Sequence, residues 1–221
     1  MNDERVTRFM GPLGLLTLIS FFVGFGVLNG NQPGENASGA TDVAWMNAHS
    51  AMRWAQIYVI AFGLTLVLLF VTQLRYILHS SSSGRQFWPN IVFASGIIFV
   101  AGELAGGGVN ATVFLVASHN HEYAIAHLAN FVGQNSEIAM IYGLALLTLA
   151  TGIAILSGST LPKWLGIVSV VIGVVCVLGP LGLFGTLAAA LWFPVLGFVV
   201  GSKSKTTASK VAGVESPARI G

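Results

Sequence analysis

Long apolar runs separated by short polar or turn-forming stretches dominate this chain. Six of them are long enough to read as bilayer-crossing helices: about Met10–Leu28, Trp54–Leu78, Trp88–Val116, Gly133–Leu156, Trp164–Leu178 and Leu183–Val200. The last two are joined by Gly179-Pro180-Leu181-Gly182, which breaks a helix but offers few polar groups. That joint predicts either a tight hairpin of two full spans or a re-entrant pair. The expected fold is all-α: a polytopic bundle of six spans over residues 10–200, after a short N-terminus of residues 1–9. Residues 201–221 are basic and lack apolar periodicity, so they are expected to form a disordered tail.

Composition agrees with the pattern. The chain is 54% hydrophobic and 8% charged, against about 25% charged in a soluble domain. With so little charge, lipid must solvate most of the surface. A net charge of +2 gives no reason to expect a nucleic-acid partner. The placement of the basic residues says more. Arg5, Arg8, Arg75, Arg85, Lys163, Lys203, Lys205, Lys210 and Arg219 fall on one side of the predicted topology. The opposite loops, Asn29–Arg53 and Ser118–Ala129, carry only Arg53. The positive-inside rule then places both termini in the cytoplasm. Trp54, Tyr58, Tyr76, Trp88 and Trp164 sit near span ends, as interfacial aromatics do. The first run is longer than a signal-peptide core and reads as an uncleaved helix.

Against this apolar background, polar residues inside or beside the spans stand out. Glu103 lies within the third run, where an ionised carboxylate must be paired, protonated or in water. On the second helix, His49, Arg53 and Gln56 follow i, i+4, i+7. On the fourth, His127, Asn130, Gln134 and Glu137 follow i, i+3, i+7, i+10. Glu103 and Asn110 are two turns apart on the third. Each set occupies one helical face at the non-cytoplasmic end. Their coincidence predicts an outward-facing polar pocket, with Arg53 as the natural partner of Glu103 or Glu137. A structural seam of polar side chains is the competing expectation.

Other motifs carry less. His119, His121 and His127, with Glu122 nearby and His49 as a further ligand, are weak candidates for zinc or copper, in a spacing that matches no closed metal motif. A bilayer-spanning b-type haem needs histidines facing each other inside the membrane, which this sequence does not offer. No cofactor is therefore expected, zinc being the one candidate kept. The glycines around Glu103 (Gly102, Gly106, Gly107, Gly108) are expected to allow close helix packing, or to kink the third helix and turn carbonyls towards a cavity. No Gly-Lys-Ser/Thr follows them, which excludes a phosphate loop. The sequons at Asn36 and Asn110 are assigned no role. Cys176 has no intrachain disulfide partner.

The segment Leu161-Pro162-Lys163-Trp164-Leu165-Gly166, followed by an apolar helix, resembles a signature of small bacterial multi-pass proteins of the DUF4386 type. The resemblance covers mainly Ala139–Val200. It implies a bacterial inner-membrane location and no particular activity, cofactor or site residue. The function expected from the residues is a non-enzymatic membrane component that binds a small molecule, lipid or partner through the polar pocket. The alternatives are a metal-assisted membrane hydrolase using the outer histidines with Glu103 or Glu137, and a small transporter coupled to protons at Glu103.

Overall fold

The computed structural model describes residues 9–30, 32–81, 87–135, 137–178 and 181–214, with side chains left out at 81, 135, 137–139, 183 and 203–214. Among the described residues the fold is all helix, with no strand. Helix α1 spans Met10–Phe21 and continues into a π-helical turn, Phe22–Val27. Helix α2 is Gly39–Ser81, kinked at His49. Helix α3 has three parts: Phe87–Glu103, a π-helical turn Leu104–Gly108, and Val109–His119. Then come α4, Tyr123–Asn135; α5, Glu137–Leu156; α6, Lys163–Cys176; and α7, Gly182–Val214.

Four stretches are long and apolar enough to cross a membrane: Met10–Val27, Gly39–Ser80, Phe87–His119 and Phe184–Ser202. Met140–Leu156 and Lys163–Cys176 are shorter apolar helices. At 1.5 Å per residue, α6 rises only about 21 Å, less than the roughly 30 Å of a hydrocarbon core. It forms an antiparallel hairpin with α7. Gly185 packs on the Cys176 backbone beside the turn, and Trp192 Nε1 donates to Ser169 Oγ at 2.8 Å further along. The backbone of α7 stays helical to Val214, into the stretch expected to be a disordered tail.

The helices pack through small residues. A Cβ on Gly14 would stand 2.5 Å from the Phe193 carbonyl oxygen, and one on Gly152 would stand 2.6 Å from that of Gly166. Backbones approach this closely only where no side chain intervenes, which is how helices associate when lipid already solvates their apolar side chains. The outward faces agree with that solvent: Phe22, Phe62, Leu69, Ile97, Val171 and Leu191 are all exposed. A soluble protein does not leave an apolar exterior of this extent uncovered.

Two apolar clusters form inside. The main core joins α1, α2, α3, α5, α6 and α7 through residues such as Phe70, Leu74, Phe99, Leu147, Leu165 and Phe193. A smaller one joins the first part of α2, the last part of α3 and α4 through Val43, Met46, Phe114, Leu115, Ala126 and Ala129. Helix α4 packs on α2 and α3, whereas α5 packs on α3 and α6. The smaller cluster, a platform of α2, α3 and α4, and the main bundle are thus separate packing units on shared helices.

Candidate functional site

Where the two clusters meet, the packing leaves a cavity of about 150 Å³. Its apolar wall includes Phe25, Ile57, Ile60, Leu64 and Phe114. Its polar wall is Asn29, Gln32, Arg53, Gln56, Glu103, Asn110 and Gln134. Five of the residues expected in a pocket therefore line one space: Arg53, Gln56, Glu103, Asn110 and Gln134.

Both π turns border it, through Phe25 on one side and Leu104, Gly107 and Gly108 on the other. A π turn changes the bonding register from i−4 to i−5, so nearby carbonyls can serve other donors. Gly24 O accepts from Gln56 Nε2 at 2.9 Å. Gly106 O accepts from Asn110 Nδ2. The glycine run has a local reason as well. The Glu103 carboxylate folds back over Gly107, and a Cβ there would collide with Glu103 Oε1. A Cβ on Gly108 would meet nothing within 4 Å. These two glycines make room for a carboxylate and a cavity, not for a neighbouring helix.

Arg53 is 7% exposed and Glu103 6%. They share the cavity, but among the described residues no ion pair joins them; Glu137, the other carboxylate expected to meet Arg53, has its side chain outside the described residues. Arg53 Nη1 donates to Asn29 Oδ1 at 3.2 Å and to Gln56 Oε1, and the guanidinium lies 5.7 Å from the Trp45 ring centroid. Gln56 Nε2 also donates to Asn29 Oδ1 at 3.3 Å, closing a ring of carboxamides around one edge of the guanidinium. Arg53 Nε is buried with no hydrogen-bond partner. Among the described residues no carboxylate pairs with Arg53. Glu103 has an interaction of its own.

His49 leaves the expected face because the helix is not straight there. Its φ of −118° and ψ of 15° break the i, i+4 register. Its Nδ1 donates to Trp45 O at 2.8 Å, and its ring stacks on Trp45 with centroids 4.7 Å apart. His127 and Asn130 also lie outside the cavity lining, because both turn to Asp42. His127 Nδ1 donates to Asp42 Oδ2 at 2.8 Å, and Asn130 Nδ2 donates to Asp42 Oδ1 at 2.8 Å. Asp42 is fully buried, while His127 is 39% exposed. The side chain of Glu137 lies outside the described residues.

Asn130 is the hub. Its Nδ2 also reaches Pro33 O at 3.2 Å, and its Oδ1 accepts from Gln32 Nε2 and from Gln134 Nε2, the latter at 2.9 Å. All four hydrogen-bonding positions of the carboxamide are used. Gln134 Nε2 donates to Pro33 O as well, at 2.8 Å. These bonds pin the α1–α2 connection, residues 28–38 apart from the undescribed residue 31, across one end of the cavity.

The histidines do not gather. Among the described residues no three His, Cys, Asp or Glu side chains are placed to hold a metal ion. His121 has φ 58°, the left-handed residue after α3. Glu122 N donates to Ala117 O and His121 N to Ser118 O, the two bonds of a Schellman ending. His121 thus takes a position usually held by glycine. His119 is the last residue of α3.

Asp42, Asn29, Gln32 and Trp45 are not marked by the sequence pattern, because they lie in a polar stretch ahead of the second apolar run. A signal was present: Ser38 caps α2 through Oγ contacts to Thr41 N at 3.2 Å and Thr41 Oγ1 at 2.9 Å. Ser38-Gly39-Ala40-Thr41-Asp42 is a helix start with an acid in the first turn. Comparison with known proteins finds no matching family model, no similar curated protein and no similar solved structure.

Proposed function

We propose that this is a membrane-embedded, non-enzymatic binding protein whose cavity takes a small molecule. The observation that carries the reading is the convergence of a buried guanidinium, a carboxylate and several carboxamides on a space of about 150 Å³ beside an apolar wall. Ligand sites commonly pair a mostly apolar lining with a few placed polar groups. A dry cavity of about this volume accommodates a molecule the size of benzene, so the ligand would have only a handful of heavy atoms. Several of these polar groups also bond to one another, as in a structural seam, but a seam needs no space among them.

The topology proposed with this function has six spans, adding Met140–Leu156 and Lys163–Cys176 to the four long helices. Both termini are cytoplasmic by the positive-inside rule, and the 28–38 strap and α4 face outward. Exposed Trp54, Tyr58, Tyr76 and Trp164 fit interfacial positions. With the DUF4386-type resemblance of Leu161–Gly166, the location proposed is a bacterial inner membrane, and the lipid bilayer is the first partner.

Gly108→Leu supplies the test, because open space stands where its Cβ would go. A panel of molecules of four to ten heavy atoms would be screened by thermal shift on the full chain in detergent. Ligands that stabilise the wild type and not Gly108→Leu are expected. If no molecule does so, and Gly108→Leu is itself more stable than the wild type, the space is a packing defect and the reading fails.

A further inference from the structure

We infer that the ligand is a small monocarboxylate with a short apolar tail, its carboxylate seated on Arg53. This inference rests on the pocket reading above and names the chemistry of its occupant. A guanidinium removed from water costs several kcal/mol unless a counter-charge and hydrogen bonds replace its hydration. Arg53 is 93% buried by the exposure given above, and its hydrogen-bond acceptors are neutral carboxamides. Those dipoles and the Trp45 face offset part of the burial. They supply no negative charge.

The partners of Arg53 also set its direction. Asn29 and Gln56 both take Nη1, and Nε is enclosed by protein, so Nη2 is the edge left to meet a ligand oxygen. Gln56 is fixed by the Gly24 carbonyl, and Asn29 bonds to both Arg53 and Gln56. The guanidinium is therefore pre-oriented by groups that are themselves held, the arrangement expected of a receptor for a planar anion. Glu103, across the same cavity, lies over Gly107, and among the described residues it forms no ion pair with Arg53.

The rest of the lining selects the ligand body. Phe25, Ile57, Ile60, Leu64 and Phe114 offer an apolar surface beside the charge. A carboxylate carrying two to four carbons fills about the available space and covers that surface. Inorganic anions would leave it bare.

The test measures binding to the full-length protein in nanodiscs by calorimetry. The probes are butyrate, its neutral isostere butyramide, the zwitterion 4-aminobutyrate, and nitrate. Butyrate is expected to bind at least about tenfold more tightly than butyramide or nitrate, and 4-aminobutyrate no more tightly than butyrate. Arg53→Gln is expected to lose the butyrate preference, bringing butyrate and butyramide to equal affinity. Equal binding of butyrate and butyramide to the wild type overturns the carboxylate assignment and leaves the pocket standing. Nitrate binding as tight as butyrate, or tighter binding of 4-aminobutyrate, overturns the apolar tail. Binding of no probe, together with a negative small-molecule panel, removes the pocket reading itself. Should Arg53→Gln fail to fold, the wild-type pair of butyrate and butyramide still decides, and Gly108→Leu must abolish butyrate binding.

Discussion

The main core and the platform of α2, α3 and α4 handle buried polar groups in opposite ways. In the main core, Thr148 Oγ1 donates to Leu144 O and Ala145 O at 3.0 Å, and Thr151 Oγ1 to Leu147 O at 2.7 Å. Thr17 and Ser169 likewise donate to carbonyls four residues back. Each hydroxyl is satisfied by its own helix, so it imposes almost nothing on neighbours. Trp192 reaching Ser169 is a cross-helix bond within that core. In the platform, Asp42, Asn130, Gln134, Gln56 and Arg53 bond between elements distant in sequence. Local satisfaction lets a membrane bundle pack by shape alone. Long-range satisfaction fixes the α1–α2 strap and α4 over a cavity that shape alone would not preserve.

The largest expected effect is at Asp42. Replacing it with Ala removes the acceptor of both His127 and Asn130 and should destabilise the fold by roughly 3 kcal/mol, seen in detergent as a lower unfolding midpoint and early proteolysis within residues 28–38. Next comes Gly14→Ala. The new methyl meets the Phe193 carbonyl oxygen at 2.5 Å, forces α1 from α7 and should cost about 1–3 kcal/mol. Thr148→Val removes only bonds within one helix and should cost about 1 kcal/mol or less. An effect as large as that of Asp42→Ala would break the distinction between the regions. The smallest change is expected for Gly108→Ala, in open space, which should be neutral or stabilising by about 0.5–1 kcal/mol. A loss there as large as that of Gly14→Ala would mean that the cavity wall is packed like the core.

Much of this was legible from residue pattern. The first and third apolar runs agree with α1 and α3 to within a few residues, because uninterrupted apolar sequence has one stable form in lipid. The polar cluster was legible to the extent that helical spacing held, which brought Arg53, Gln56, Glu103, Asn110 and Gln134 to one cavity. Spacing failed at His49, where the kink breaks the register of the first part of α2. Charge alone paired Arg53 with Glu103 or Glu137. Among the described residues Arg53 instead meets Asn29 of the strap, which has no periodicity to read, and Gln56 of its own helix, while the Glu137 side chain lies outside those residues. The π turns left only the weak trace of glycine-rich stretches. Asp42 was hidden because a charged residue in a polar stretch looks solvated until the helix start at Ser38 is recognised.

The central claim is that Arg53 presents its charge to a bound carboxylate inside the cavity. Solid-state NMR can read that contact directly in nanodisc-embedded protein with 15N-labelled arginine and butyrate 13C-labelled at its carboxyl carbon. The account predicts carbon–nitrogen dipolar dephasing of the bound carboxylate, lost in Arg53→Lys prepared with the same label. A bound butyrate signal with no dephasing in the wild type, or dephasing that persists in Arg53→Lys, would contradict it.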